Sequence, residues 1–292
     1  MIRLLTTASL SALLLAACAP ETPPRSGDTQ AEASGQGEST AEPAMAFDMP
    51  GDFQLSWSEE TEAAAVSSEI DPAILAFDPQ LAYRLWTDAR SALGDLQVQA
   101  AGDKTLAEKD SAVSGEPSWF HQYTMEIRND ATLVLDDLIS IEHFVAQYTG
   151  GAHGNYFTGG GIYRKGSSDA LKVSEMIADP VGFRDLVVTG LVAEKLKRGW
   201  GAGEEAGIRA NLTEMLTPSA DYPDVFESHV VLHGSSQPGK AGGVVVLFSP
   251  YEVGSFAEGI YEVLIPASDL VPLLAADWKD RFGGTPLPLS PD

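Results

Sequence analysis

From Trp119 the chain takes on a period of two, with Trp119, Tyr123, Met125 and Ile127 on one side of an extended backbone. Strict alternation of this kind is the mark of a half-buried strand. Asn129-Asp130 predicts a turn, residues 132–135 resume the strand, and 138–148 are long enough for a full one. Gly150-Gly151 and Gly154-Asn155 predict a tight corner, and residues 156–164 return as the next strand of an antiparallel meander. Further strands are expected over 53–57 and 63–70 at the start, and over 226–232, 243–248 and 259–266 near the end.

Helical spacing lies between these runs. Asp78-Pro79 places an N-cap before a proline at the first helical position, and Leu81, Leu85, Ala89 and Leu93 share a face up to Gly94. The polar residues 100–116 then read as an extended or partly helical connection. Asp179-Pro180 repeats the helix start, with Phe183, Leu186, Val187, Leu191 and Leu196 as its buried stripe. Lys195, Lys197 and Arg198 occupy the last turn, where cations suit the helix dipole, before Gly199. Residues 208–216 predict a shorter helix, and 270–278 a last one with Pro272 in its first turn. Runs of strands alternating with runs of helices predict an α+β fold, with helices packed on antiparallel or mixed β-sheet.

The start of the chain changes where this fold is expected to work. Met1-Ile2-Arg3 precedes a short apolar run that closes with Leu15-Ala16-Ala17-Cys18. The run is too short for a transmembrane helix and has the layout of an export signal. Its last four residues resemble the bacterial lipobox, which implies cleavage after residue 17, acyl chains on Cys18, and a lipid-anchored protein of the cell envelope. Ala19 in place of aspartate resembles lipoproteins sent to an outer membrane. Residues 18–51 are rich in Pro, Ser, Gly, Thr, Ala and Glu, cannot bury enough apolar surface to order themselves, and are expected to form a tether. A coil of this length spans roughly 30 Å. With Cys18, the chain's one cysteine, lipidated, no disulfide, zinc ribbon or thiol nucleophile remains. The formal charge of −24 argues against nucleic acid and is compatible with a basic protein partner.

Two stretches carry a family resemblance. One is Tyr148-Thr149-Gly150-Gly151-Ala152-His153-Gly154-Asn155. The other is Phe248-Ser249-Pro250-Tyr251-Glu252-Val253-Gly254, continued by Ala257, Gly259, Glu262-Val263 and Ile265-Pro266. In this order, with Leu171-Lys172-Val173-Ser174-Glu175-Met176 between them, they resemble the envelope module of PdaC-type proteins and the RsiV ectodomain. The resemblance implies a PdaC-like domain over 52–165 and an RsiV-like domain over 166–285. In RsiV the module binds lysozyme, so a cationic lysozyme-like protein or a peptidoglycan fragment is the partner implied here. The deacetylase motifs of PdaC are not matched, and neither catalysis nor a cofactor is expected.

The same stretches carry candidate chemistry. Tyr148, Gly150, Gly151, His153 and Asn155 form either a structural corner or a ligand-contacting tip. They lack the ending of a phosphate loop. Pro250, Tyr251 and Glu252 follow a wholly apolar strand; Tyr251 is either an interface anchor or, with Glu252, a pin for the loop. His229 and His233, on a strand, would sit about 13 Å apart, too far for one metal ion. His121 and His143 read as isolated strand residues that pack or hydrogen-bond. Asp136-Asp137 and Glu204-Glu205 read as solvated pairs. The leading expectation is a non-enzymatic, lipid-tethered binding module; alternatives are an envelope hydrolase with carboxylates from separate loops, and a purely structural protein.

Overall fold

The computed structural model describes residues 47–201, 204–218 and 225–289. The export signal, Cys18 and the tether up to residue 46 lie outside the described residues. The fold is α+β. Strands β1 (Ser56–Glu60), β2 (Ala64–Ile70), β3 (Tyr123–Val134), β4 (Leu138–Tyr148) and β5 (Asn155–Arg164) form a five-stranded sheet in chain order. All neighbours are antiparallel except β2 and β3, which run parallel with Ala64 opposite Tyr123. A parallel pair needs a long crossover, supplied by helices α1 (Pro72–Phe77) and α2 (Pro79–Ser114).

Each crossover helix is started by an aspartate. Asp71 accepts from Ala73 N–H, and Asp78 accepts from Gln80 and Leu81 N–H. The second oxygen of the buried Asp78 accepts from Gly166 N–H at 2.7 Å, tying the helix start to the end of β5. The helix expected to stop at Gly94 instead runs for 36 residues, to a left-handed Gly115. A glycine inside a helix costs only about 1 kcal/mol against alanine. The residues beyond it are strong helix formers with a Lys104–Glu108 pair four apart. They are also held from the side, because Tyr123 Oη donates to Asp103 and Lys104 meets Glu62. Ile74, Leu81, Leu85 and Trp86 pack with Ile139, Ile141 and Tyr163 of the sheet, and Leu93, Leu96 and Ala100 pack with Ala64, Val66 and Tyr123.

Two local expectations fail on β3. Trp119 to Gln122 precede the strand, so His121 is an exposed loop residue. Asn129-Asp130 is not a turn, because β3 continues past it with a bulge between Ala131 and Leu133. The turn falls at Asp136-Asp137, and Asp137 is no idle solvated carboxylate: Arg281 donates two bonds of 2.7 Å to it. That pair holds its carboxyl below the usual range.

The second half begins with the short helix α3 (Val173–Met176), then α4 (Pro180–Lys197) and α5 (Glu205–Met215). Strands β6 (Val230–Gly234), β7 (Ala241–Phe248) and β8 (Tyr261–Pro266) make an antiparallel three-stranded sheet in that order. Residues 226–228, expected as the start of a strand, belong instead to a 3-10 turn over Val225–Ser228. The expected helix over 270–278 is broken into α6 (Ala267–Leu270), a 3-10 turn over Pro272, and α7 (Ala276–Lys279). Proline denies the helix an N–H and ends its first turn. Central strand β7 is buried at every position, which is why it reads as a continuous apolar run. Phe183, Val187, Leu191 and Val192 of α4 pack on Val244, Val246, Val263 and Ile265, and the same cluster takes in Leu138 and Ile162 of the larger sheet.

The two sheets approach closely where β5 carries three successive glycines. A Cβ on Gly160 would fall 2.2 Å from Val231 Cγ1. Leu232 N–H donates to Ser140 Oγ across the same seam. No helix among the described residues is long and apolar enough to cross a membrane.

Candidate functional site

The Tyr148–Asn155 hairpin and the loop after β7 meet. Gly150 and Gly151 take φ of 92° and 97°, conformations that favour glycine, and Tyr148 Oη donates back to the Gly151 carbonyl. This places exposed His153 on the outer side of the corner, its Nδ1 donating to the Gly154 carbonyl. Its ring stacks on Phe256, with centroids 3.9 Å apart and planes at 21°. Phe256 lies in a 3-10 turn that follows the Pro250-Tyr251-Glu252 loop, and Tyr251 meets the same ring at 5.7 Å. Tyr156, the second residue of β5, stacks on it at 6.1 Å and on Phe144 at 6.5 Å. Arg128 covers the Phe144 ring, 4.5 Å from its centroid. The result is a strip of aromatic rings with Phe256 at its centre. Tyr156 is 45% exposed and Tyr251 62% exposed.

The second loop resolves into distinct roles. Pro250 is buried. Glu252 accepts from Ser249 N–H at 2.6 Å and meets His229 Nε2 at 3.0 Å, so it pins the loop. Ser249 in turn bonds both backbone groups of Thr158, fixing the loop to β5. Tyr251 is free of that task. It is the one non-glycine with positive φ among the described residues, at 75°, and its ring points outward.

Beside Tyr251 lies a groove of about 480 Å³ lined by Lys195, Trp200, Glu204, Ile208, Met215 and Glu258, among others. The Lys195 ammonium, on the inward face of α4, pairs with the Glu258 carboxylate. Glu258 also accepts from Ser255 N–H and from Tyr261 Oη at 2.7 Å. Burial pushes the Glu258 carboxyl up, but Lys195, Ser255 and Tyr261 together outweigh it and hold the group at about 2. Burial and the Glu258 hydrogen bond push the Tyr261 phenol up in turn. Arg198 donates to the Glu258 and Ile260 carbonyls and covers the Tyr261 ring.

The sequence reading missed Phe256, Tyr156, Lys195 and Glu258. A signal existed for some of them. Ser255-Phe256-Ala257-Glu258 is a capping box, and Lys195 falls four residues after Leu191 on the buried stripe, where an apolar residue was due. The stacking of Phe256 on His153 spans more than a hundred residues and has no local trace.

His229 and His233 do not converge. The first meets Glu252 and Ser228, whereas the second reaches the Leu287 carbonyl. No group of three or more potential metal ligands occurs among the described residues. His143 is hydrogen-bonded within the larger sheet, to Asn129 and Tyr163.

No family model and no curated protein matches the chain. Among solved structures, it is similar to a DUF3298 family protein from Pseudomonas aeruginosa, with 16% identity, coverage of 78% of this chain and 94% of that one, and a TM-score of 0.45. A DUF3298 family member from Bacteroides fragilis is similar at 16% identity, 77% and 93% coverage, and a TM-score of 0.46.

Proposed function

We propose that this chain is a lipid-anchored, non-enzymatic binding protein of the cell envelope, and that its partner is a cationic protein of the lysozyme type. The observation that carries the reading is the convergence of the 148–155 hairpin and the 250–252 loop on Phe256, which leaves Tyr251 exposed beside a groove. Aromatic rings with polar tips are good interface anchors at partly wet sites. The charge of −24 supports a basic partner, through attraction at long range. The resemblance to PdaC-type and RsiV modules supports an extracytoplasmic partner, and the Leu15–Cys18 stretch supports the lipid anchor.

The alternative is a hydrolase with carboxylates from separate loops. The groove does hold Glu204 and Glu258. Glu258, however, is ionised and saturated by its three partners, which makes it a poor proton donor.

Size exclusion of the protein mixed with lysozyme at low salt tests the reading. A complex is expected, weakened at least about tenfold by Tyr251→Ala, as for a central aromatic anchor. Absence of a complex, or indifference to that substitution, counts against it. Binding of soluble peptidoglycan fragments instead of lysozyme would redirect the proposal to a glycan ligand.

A further inference from the structure

We propose that the outward face of α2 is a dimer interface, on which two copies of this chain pair antiparallel about a two-fold axis at Gly102. Asp95, Val98, Gly102, Leu106, Lys109 and Val113 follow one another at intervals of three or four residues, so they form one stripe along the helix. All six are exposed, whereas Leu93, Leu96, Ala100 and Ala107 on the far side are buried against the sheet. Val98, Leu106 and Val113 are 76%, 51% and 90% exposed. The helix thus carries a second apolar row on the side that faces away from its own core.

The order of residues along the stripe selects the occupant. Val98 and Leu106 lie four residues to either side of Gly102, Asp95 and Lys109 seven, and Ser91 and Val113 eleven. A two-fold axis through Gly102 therefore sets Val98 of one copy against Leu106 of the other, and Asp95 against Lys109, with each contact made twice. That is the self-complementarity an isologous interface needs. Among the described residues neither Asp95 nor Lys109 makes an ion pair within the chain, although Lys104 and Glu108 on the same helix do. Gly102 brings no side chain to the crossing point, and a Cβ there would meet nothing within 4 Å in its own chain. Two backbones can then approach to the short end of the about 8–10 Å usual for packed helices.

Charge favours a second copy over the cationic partner. One carboxylate and one ammonium leave the stripe neutral in a chain of formal charge −24. It gives a basic protein no electrostatic purchase and lets two like-charged copies meet with least repulsion. From Ser91 to Val113 it is about 33 Å long and one helix wide. That is smaller than a permanent interface, so the association is weak and reversible. Its charges fix register more than they add affinity.

Sedimentation equilibrium of the full chain carrying Cys18→Ser, which removes any acyl chain, tests this from micromolar to millimolar concentration. A reversible monomer–dimer equilibrium is expected. Asp95→Lys and Lys109→Asp should each weaken it about tenfold. An equimolar mixture of the two variants should associate at least as well as the parent, since every facing pair is then of opposite charge. Gly102→Cys in the same background should form a disulfide-linked dimer on mild oxidation, because the two positions face each other. Val113→Cys alone should not, but should cross-link to Ser91→Cys. Tyr251→Ala should leave the equilibrium unchanged, which separates this surface from the aromatic strip. A monomer at every concentration, a dimer indifferent to both charge reversals, or Val113→Cys linking to itself as readily as Gly102→Cys would overturn the proposal.

Discussion

Tyr251 and His143 show at the residue scale what a position gives up to hold a special environment. Tyr251 keeps a left-handed backbone and an exposed ring, a combination that costs folding energy and gains no core contact. Tyr251→Gly is therefore expected to leave stability within about 1 kcal/mol of the parent, or raise it, while weakening the lysozyme complex. Chemical denaturation and the binding assay, run on the same variant, check both halves. His143 faces the opposite demand, since it must stay neutral between Asn129, Tyr163, Arg84 and the nearby Asp88. Its imidazole sits at about 4, against an ordinary value of 6.5. As pH falls below 6.5 the unfolded chain takes up the proton first, so the His143 contribution to stability declines down to about pH 4 and changes no further below it. The full loss is about 3 kcal/mol. Denaturant midpoints measured from pH 7 to 4 should show this slope, and His143→Gln should flatten it. The sequence offers Tyr251 as an anchor or a pin and His143 as a packed or hydrogen-bonded residue, but not the left-handed backbone of the one or the partners of the other, because these depend on neighbours from other strands or helices.

Elements were easier to read than residues where the cause was local. Asp71, Asp78 and Asp179 cap three helices through their own side chains, and all three starts are Asp-Pro pairs, although the sequence reading takes only those at Asp78 and Asp179 as such and passes over Asp71-Pro72 as a strand end. The long strand over 138–148, its antiparallel return over 156–164 and the glycine corner between them also stand as read. The misreadings came from punctuation overruled by its surroundings. Gly94 looks like a helix stop but lies inside α2, where an added Cβ meets nothing within 4 Å. Gly94→Ala should therefore stabilise the protein by about 0.5–1 kcal/mol, read as a higher denaturant midpoint at unchanged slope. Asn129-Asp130 looks like a turn, yet Asn129 is buried in β3 and bonded to His143. For the candidate site, the hairpin and the loop were each legible as punctuation in the chain. Their meeting was not, since it depends on how the two sheets pack.

At the scale of the whole molecule that packing rests on Gly159 and Gly160, where a Cβ would strike the Ser228 carbonyl and Val231, and which let β6 lie against β5. Gly160→Ala would drive a methyl group into Val231 and two backbone carbonyls. A loss of about 3 kcal/mol is expected, partly recovered in the Gly160→Ala, Val231→Ala double variant. Because this seam also sets how the hairpin meets the loop, the single variant should weaken the lysozyme complex beyond what its stability loss explains. The crossover has a geometric consequence of its own. At about 1.5 Å per residue α2 is about 54 Å long, whereas β2, which it follows back, has seven residues. Its last turns therefore overshoot the sheet, and the chain must double back through residues 115–122, pinned by Ser111 to the Glu116 carbonyl and by Trp119 to Asp110. This protruding finger ends at Gly115, next to a Val113 that is 90% exposed. A fluorescent reporter or a foreign epitope grafted there would ride at the end of a rigid arm, on the same end of the sheet as the 148–155 hairpin, since Thr124 lies opposite Tyr148.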